Sequence, residues 1–103
     1  MPLWFSWDPA KARSNAAKHG LSFETAARVF LDPFAVTDQD RIEGGEQPWR
    51  TTGLVDGLLV VVVAHTLSED DDGSELIRLI SARRADAKER RSYEEARRRQ
   101  IRA

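Results

Sequence analysis

The sequence of 103 residues contains no cysteine, only two histidines and no long apolar run. The absence of cysteine excludes a disulfide framework, a thiolate nucleophile and a cysteine-based zinc site, and two histidines are too few for most all-protein catalytic zinc sites. The longest apolar run, Leu58 to Ala64, has seven residues, whereas a membrane-spanning helix needs about 20. Because the N-terminus also lacks the pattern of a signal peptide, we expect a cytoplasmic protein with no metal or other cofactor.

The net charge is also small, −1, but the charges are unevenly distributed. Residues 31–75 carry a net charge of −9, whereas residues 83–103 carry +5. Such asymmetry suggests contact with nucleic acid or a charged partner, although solvated faces of a small domain would produce it too. A chain of this length with 41% hydrophobic residues has enough apolar bulk for one core. We therefore expect a single domain over 1–103, with a core over 1–95 and a basic C-terminal helix extension over 96–103.

Helix-start signals occur twice near the N-terminus. The Asp-Pro pair at residues 8–9 predicts a first helix, because the carboxylate can accept from free backbone N–H groups and proline has no N–H to leave unpaired. This helix should end at Gly20, which suits a left-handed C-cap. Ser22 predicts the start of a second helix, which the Asp-Pro pair at residues 32–33 should end. The second helix should bury one stripe at helical spacing, namely Phe23, Ala26, Ala27 and Phe30.

Strands are predicted over residues 3–7, 34–37, 49–54, 58–66 and 75–83. Four consecutive valines, Val60 to Val63, show no alternation, so both faces of that strand should be buried and the strand should be central. The last three strands are joined by loops too short for a parallel crossover and should pair antiparallel. Asp86 and Glu89 form a capping-box pattern at the start of a C-terminal helix. The predicted fold class is α+β, with two N-terminal helices packed on a mainly antiparallel sheet of four to five strands.

Short motifs run in a consistent order along residues 5–95. They are Trp7-Asp8-Pro9 with Lys11, Asn15, Lys18-His19-Gly20, Ser22-Phe23-Glu24, Ala26-Ala27, Phe30, Asp32-Pro33, Ile80-Ser81-Ala82-Arg83-Arg84, Glu89-Arg90-Arg91 and Tyr93-Glu94-Glu95. Taken together, these motifs resemble the BrnT family of type II toxins.

The resemblance implies a fold, an activity and a partner. The fold would be RelE-like, and the activity would be that of a metal-independent endoribonuclease toxin that cleaves RNA and inhibits translation and growth. A BrnA-like antitoxin with a ribbon-helix-helix domain would neutralise the toxin, and their complex would repress its own operon. DNA would therefore be contacted only through the antitoxin, and no membrane contact is expected.

Metal-free RNA cleavage needs a base for the 2′-hydroxyl, cations for the pentacoordinate phosphorane and an acid for the leaving 5′-oxygen. Arginine suits the cationic role because its planar fork binds two phosphate oxygens, and its high pKa makes it a poor proton donor. His or Glu should therefore transfer the protons, unless the pKa of a Lys or Tyr is strongly shifted. The predicted catalytic residues are Lys18, His19, Glu24, Arg78 and Arg83. The predicted RNA-binding residues are Arg50, Arg84 and Tyr93.

Several of these residues have a structural alternative. Lys18 and His19 would also stabilise the C-terminal end of a helix dipole, Glu24 would favour a helix first turn, and Tyr93 would pack a helix on the sheet. His65 is expected to be a structural histidine.

The arginines near the end of the sheet are assigned to faces by strand alternation. Arg83 and Arg84 should point to opposite faces, so that one faces a given site and the other anchors the C-terminal helix or meets the antitoxin. Arg78 should share a face with Ile80 and Ala82. A charge at that position is costly on a covered face, so that face should be the uncovered, catalytic one.

Two other function classes remain open at this point. A non-catalytic interaction module, acting in transcriptional regulation only through a DNA-binding partner, would tolerate alanine at Lys18, His19 and Arg83 without loss of cellular effect. Direct DNA binding is disfavoured by the net charge of −1 and by the absence of a helix-turn-helix pattern.

Overall fold

The fold is taken from a computed structural model, which describes residues 3–41 and 48–102. The remaining residues of the predicted 1–103 domain, namely 1, 2, 42–47 and 103, lie outside the described part. The elements are β1 (Leu3–Ser6), α1 (Pro9–His19), α2 (Phe23–Ala26), a 3₁₀ helix (Ala27–Leu31), β2 (Val36–Gln39), β3 (Trp49–Val55), β4 (Leu59–Glu69), β5 (Glu75–Arg84) and α3 (Ala87–Arg102). No helix among them is long and apolar enough to cross a membrane.

The strands form one five-stranded sheet in the order β1-β5-β4-β3-β2. Strands β2 to β5 pair antiparallel in sequence order, and β1 pairs parallel with β5. The sheet is therefore mixed, and the α+β prediction is confirmed. The predicted central strand is also confirmed, because β4 lies in the middle of the sheet and Val60 to Val63 are at most 8% exposed. In the turn before β4, the Leu58 N–H donates to the Val55 carbonyl at 3.1 Å, and the two central residues, Asp56 (54°) and Gly57 (72°), both have positive φ, as a type I′ turn requires.

The two faces of the sheet follow from alternation along β4. The core face carries Val61, Val63 and His65, which are completely buried. The opposite face carries Val60, Val62, Ala64 and Thr66 and lies on the side of α3; we call it the α3 face. The predicted arrangement of two N-terminal helices on the sheet is therefore wrong in detail: α2 and the 3₁₀ helix pack on the core face, whereas the C-terminal helix α3 packs on the other face at β3. The part of that face around Arg78 in β5 stays exposed.

The first helix confirms its predicted ends. Asp8 accepts a hydrogen bond from the Ala10 N–H at 2.8 Å, and Gly20 adopts φ 65° in the left-handed region that glycine favours.

The second helix differs from its prediction in type. Ser22 caps it as expected, since its hydroxyl accepts from the Thr25 N–H at 3.1 Å. The α-helix then makes one turn and continues as the 3₁₀ helix. The fully buried residues are Phe23, Ala26 and Val29, a repeat of three that matches 3₁₀ geometry. The segment of α2 and the 3₁₀ helix, with four and five residues, is too short for spacing alone to separate this repeat from the α-helical one.

A β-bulge at Ile80 interrupts the alternation of β5. The strands pair on either side of it as Leu79 with His65 and Ser81 with Ala64. Ile80 therefore has no opposite residue, and the face of every later residue in β5 is reversed relative to a regular strand.

The bulge makes the expected placement of Arg78 relative to Ala82 wrong. Arg78 pairs with Thr66 and so lies on the α3 face, whereas Ala82 pairs with Val63 and lies fully buried on the core face. Strand alternation with a period of two does not predict where an extra residue is inserted into a strand.

Helix α3 begins with the predicted capping box. The Glu89 N–H donates to Asp86 Oδ1 at 2.8 Å, and the Asp86 N–H donates to Glu89 Oε1 at 2.9 Å. The helix is continuous across residue 96, where the basic extension was expected to begin. Tyr93 is its one buried residue, and the Arg97 guanidinium lies 5.4 Å from the centre of the Phe34 ring.

Candidate functional site

Three arginines start from the α3 face of the sheet. The register pairs Arg83 with Val62, Arg50 with Ala64 and Arg78 with Thr66. Their three partners are alternate residues of β4 and therefore point to one side. Three guanidinium groups, from β3 and β5, are consequently directed to the same face.

A cavity of about 410 Å³ lies between this face and α3, a volume within the range of ligand-binding clefts. The sheet contributes Val36, Asp38, Arg50 and Thr52 to its wall. The helix and its capping box contribute Asp86, Lys88, Glu89, Ser92, Tyr93 and Ala96. The wall therefore combines cations and carboxylates with an aromatic ring and small apolar groups.

Arg83 holds one of these carboxylates. Its Nη1 and Nη2 donate to the two oxygens of Glu89 at 2.7 and 2.9 Å. The hydrogen bonds from Arg83 lower the pKa of Glu89 to about 2, although partial burial acts in the opposite direction. Glu89 is therefore ionised at neutral pH and is a weak proton acceptor while this pair persists. Arg83 is the member of the Arg83–Arg84 pair that anchors the C-terminal helix.

Tyr93 lies under α3 with only 4% of its surface exposed. Its hydroxyl donates to Asp32 Oδ2, an oxygen that also accepts from the Leu54 N–H at 2.8 Å. Burial, together with the hydrogen bond to Asp32, raises the pKa of Tyr93 to about 12. This placement supports the packing role of Tyr93 rather than stacking on an RNA base, since almost none of the ring is accessible.

A second cavity, of about 620 Å³, opens on the α3 face beside the first. Arg78 lines it together with Ala64, Thr66, Ile80 and Ser81 of the sheet, Lys11 of α1, and Asp40, Arg41 and Pro48 from the segments between β2 and β3. The two cavities adjoin. Arg50 lines the first cavity and Asp40 lines the second, and the distance between Arg50 Nη1 and Asp40 Oδ1 is 4.0 Å.

The other predicted residues lie elsewhere. Lys18 and His19 occupy the last turn of α1, and Glu24 occupies the first turn of α2. Arg84 pairs with Val61 and therefore starts from the core face, as expected from its alternation with Arg83. None of these four residues lines either cavity on the α3 face.

His65 is a structural histidine, as predicted. It is completely buried on the core face, with the Phe30 ring edge-on at 5.1 Å. Nε2 lies 2.7 Å from the Thr51 hydroxyl, which lies 2.8 Å from the hydroxyl of Thr37, and Nδ1 lies 3.3 Å from the Thr66 carbonyl. The tautomer with the proton on Nδ1 satisfies both ring nitrogens. Burial lowers the pKa of His65 below 6.5, so the ring is neutral.

Sequence reasoning missed the contribution of Glu89, Asp38 and Lys11 to these cavities. Glu89 was identified only as a helix cap, and its ion pair with Arg83 depends on the angle at which α3 leaves the sheet. Lys11 was identified only as part of a motif. Over residues 3–41 and 48–102, no three His, Asp or Glu side chains are grouped as metal ligands.

Comparison with known proteins agrees with the motifs. A family model described as ribonuclease toxin, BrnT, of type II toxin-antitoxin system matches residues 7–89. The crystal structure of the Brucella abortus ribonuclease toxin BrnT superposes with a TM-score of 0.58 at 26% sequence identity, covering 84% of this chain and 99% of that chain. No curated protein matches the sequence. Since the family match covers most of the chain, the protein belongs to the BrnT family of ribonuclease toxins of type II toxin-antitoxin systems.

Proposed function

We propose that this protein is an endoribonuclease that cleaves RNA without a metal ion, and that the α3 face carries the reaction. The observation behind the proposal is the placement of Arg50, Arg78 and Arg83 on one face of the sheet, beside a cavity of ligand size. Guanidinium groups bind phosphate oxygens in pairs and stabilise the charge that develops on a phosphorane. Arginines therefore supply the cationic part of the chemistry.

Asp38 is the proposed proton acceptor for the 2′-hydroxyl, whose oxygen forms the 2′,3′-cyclic phosphate as the bond to the 5′-oxygen breaks. The ammonium group of Lys88, which lines the same cavity, is the proposed proton donor to the leaving 5′-oxygen. Of the three carboxylates that line the 410 Å³ cavity, Glu89 is held by Arg83, and Asp86 caps α3. Asp38 lies directly opposite Arg50 in the register of β2 with β3. A carboxylate next to the guanidinium that would bind the phosphate is the arrangement that base-assisted attack on a phosphodiester needs, and this register supports the proposal.

The sequence motifs favour a different proton-transfer group. They assign His19 and Glu24 to proton transfer and Lys18 to phosphate, with Arg84 as a further RNA contact. These residues belong to the corner between α1 and α2 and to the core-face side of β5. The two assignments therefore use different surfaces and can be separated by substitution.

Incubation of purified protein with single-stranded RNA, in the presence and absence of EDTA, tests the proposal. We expect cleavage in both conditions, a loss in kcat of about 100-fold or more for Arg50→Gln and a loss of about 100-fold for Asp38→Asn. His19→Gln serves as the matched control and should cleave like the wild-type protein.

Two results would overturn this proposal. Intact RNA from correctly folded protein in both conditions would favour a non-catalytic interaction module. Loss of cleavage in His19→Gln and Glu24→Gln, with Arg50→Gln still active, would move the reaction to the α1–α2 corner.

A type II toxin acts together with an antitoxin, and we propose that the antitoxin of this protein is BrnA-like, with a ribbon-helix-helix domain that binds the operator. The RNA substrate would place both proteins in the cytoplasm. Co-expression with the product of the adjacent gene should yield a complex that retards operator DNA, whereas the toxin alone should not. Retardation by the toxin alone would contradict indirect DNA contact.

A further inference from the structure

We propose that the 620 Å³ cavity is a second phosphate-binding subsite, in which Lys11, Arg41 and Arg78 hold the backbone of single-stranded RNA next to the cleavage site. This inference rests on the proposed ribonuclease function but concerns a different cavity. Lys11 and Arg41 have no role in the cleavage step proposed above.

The charges that line the cavity favour an anion. Among the lining residues that the structure describes, three cationic side chains face one carboxylate, Asp40, whose Oδ1 lies 4.0 Å from Nη1 of Arg50 at the neighbouring cavity. The hydroxyls of Thr66 and Ser81 add donors to the same wall. Cations combined with hydroxyl donors are the groups with which proteins contact the phosphates of nucleic acids.

The β-bulge at Ile80 shapes this wall. Arg78 and Ser81 are three residues apart in β5, so in a regular strand they would point to opposite faces. Because Ile80 is inserted, Arg78 pairs with Thr66 and Ser81 with Ala64, and both start from the α3 face. Bulges are frequent next to active sites, where they redirect side chains.

Asn15 fixes the position of Lys11. The Asn15 side chain binds both backbone groups of Ala82 in β5, at 2.9 and 3.0 Å, and is only 7% exposed. Lys11 lies one helical turn earlier on the same side of α1. The helix is therefore attached to β5 at a point that brings Lys11 over the bulge, where it lines the cavity.

The subsite adjoins the proposed cleavage site through the contact between Asp40 and Arg50. A phosphodiester chain that crosses the α3 face would place one phosphate at Arg50 and another at Lys11, Arg41 and Arg78. The substrate class is therefore a single strand of several nucleotides rather than an isolated nucleotide.

Binding of a 2′-O-methyl RNA oligonucleotide tests the subsite separately from cleavage, since the methylated 2′-oxygen cannot attack the phosphate. Lys11→Gln and Arg41→Gln should each raise Kd about three- to tenfold and reduce the slope of log affinity against log salt by about 0.7. Arg13→Gln is the matched control, because Arg13 is exposed on the other side of the same helix, and its Kd should stay at the wild-type value. With unmodified RNA, the first two variants should raise KM while kcat changes little.

The outcomes distinguish this inference from the proposed function. If the oligonucleotide does not bind, or if Lys11→Gln and Arg41→Gln bind it as Arg13→Gln does, the subsite is refuted even if RNA is cleaved. If the variants weaken binding but the wild-type protein leaves unmodified RNA intact, the subsite stands and the ribonuclease proposal fails.

Discussion

At the edge of β5, the side chain of Asn15 takes the place of a neighbouring strand. Strand β1 pairs with β5 only from Glu75 to Arg78, which leaves Ala82 without a partner on that side. The Asn15 amide donates to the Ala82 and Leu21 carbonyls and accepts from the Ala82 N–H. One polar side chain thereby satisfies three buried backbone groups, which explains why a helix with so little apolar surface can pack against the sheet.

Asn15→Ala should destabilise the protein by about 3 kcal/mol, because it leaves buried backbone groups unpaired. Urea denaturation measures this loss. Asn15→Asp keeps the acceptor for the Ala82 N–H but loses the two donors, so it should also be destabilising. Ser14→Ala, at an exposed neighbouring position, is the control. Wild-type stability in Asn15→Ala would show that α1 does not depend on this side chain.

The buried His65 should make stability depend on pH in the neutral range. Burial lowers the pKa of His65 in the folded protein. In the unfolded chain this histidine has a pKa near 6.5, so as the pH falls the unfolded state binds the proton before the folded state does. The contribution of neutral His65 to the free energy of unfolding is fully present above pH 6.5 and is lost as the pH falls toward the lower pKa of His65 in the folded protein.

We expect the free energy of unfolding to decrease between pH 7.5 and pH 5.5, as measured by urea denaturation at each pH. His19→Gln removes the other histidine and should retain this dependence. Equal stability at the two pH values would contradict a neutral, buried His65.

Among the elements, α3 is held to the sheet mainly by polar contacts. The Arg83–Glu89 ion pair holds its first turn, and the hydrogen bond from Tyr93 to Asp32 holds its middle. Asp32 also accepts from the backbone of β3 and from the Phe34 N–H, so one carboxylate joins the 3₁₀ helix, the sheet and α3. Burial alone would raise the pKa of Asp32, but these hydrogen bonds lower it.

Tyr93→Phe should loosen α3 without disturbing the sheet, because it removes the hydroxyl and keeps the ring. Hydrogen exchange is the measurement: amides of α3 should exchange faster, and amides of β4 should not. Glu94→Gln, one residue away and exposed, is the control. Unchanged exchange in α3 would mean that the bond to Asp32 is not what holds the helix.

Glu89 should contribute to stability only above acidic pH. Its pKa falls from 4.5 to about 2 on folding because Arg83 donates to it. The contribution is therefore present above pH 4.5 and is lost as the pH falls toward 2. Between pH 5 and pH 2, the free energy of unfolding should decrease less in Glu89→Gln than in the wild-type protein. Parallel plots of this free energy against pH for the two proteins would contradict the ion pair.

In the whole molecule, the charges are separated along β5. The acidic turn that contains Asp70 to Asp72 precedes this strand, and Arg83 and Arg84 end it. Ten residues of strand span about 33 Å, so the acidic and basic ends lie nearly a molecular diameter apart, given an extent of 37 × 35 × 26 Å. A net charge of −1 therefore coexists with a local cationic surface on the α3 face.

RNA affinity should accordingly depend strongly on salt despite the small net charge. Three to five phosphate contacts on the α3 face predict a slope of log affinity against log salt of about −2 to −3.5 for a single strand. Titrations of a 2′-O-methyl RNA oligonucleotide at several salt concentrations measure it. Asp71→Asn, in the distant acidic turn, should leave the slope unchanged, whereas a slope near zero would contradict a local cationic site.

The sequence by itself determined the features that depend on neighbouring residues. The caps at Asp8 and Gly20, the capping box that begins α3 and the central position of the valine strand were all predictable. Each arises from hydrogen bonds or burial patterns within a few residues of chain. The ordered motifs also indicated the family, because they span most of the domain.

Only the tertiary structure decided which chemical groups meet. The bulge at Ile80 separates Arg78 from Ala82, and the packing of α3 joins Arg83 to Glu89 and Tyr93 to Asp32. These relations depend on strand register and on the angle between a helix and a sheet; Tyr93 and Asp32, for example, are 61 positions apart in the sequence. Local spacing contains no information about either quantity, so the arginines were predictable as candidates, but the cavities that they line were not.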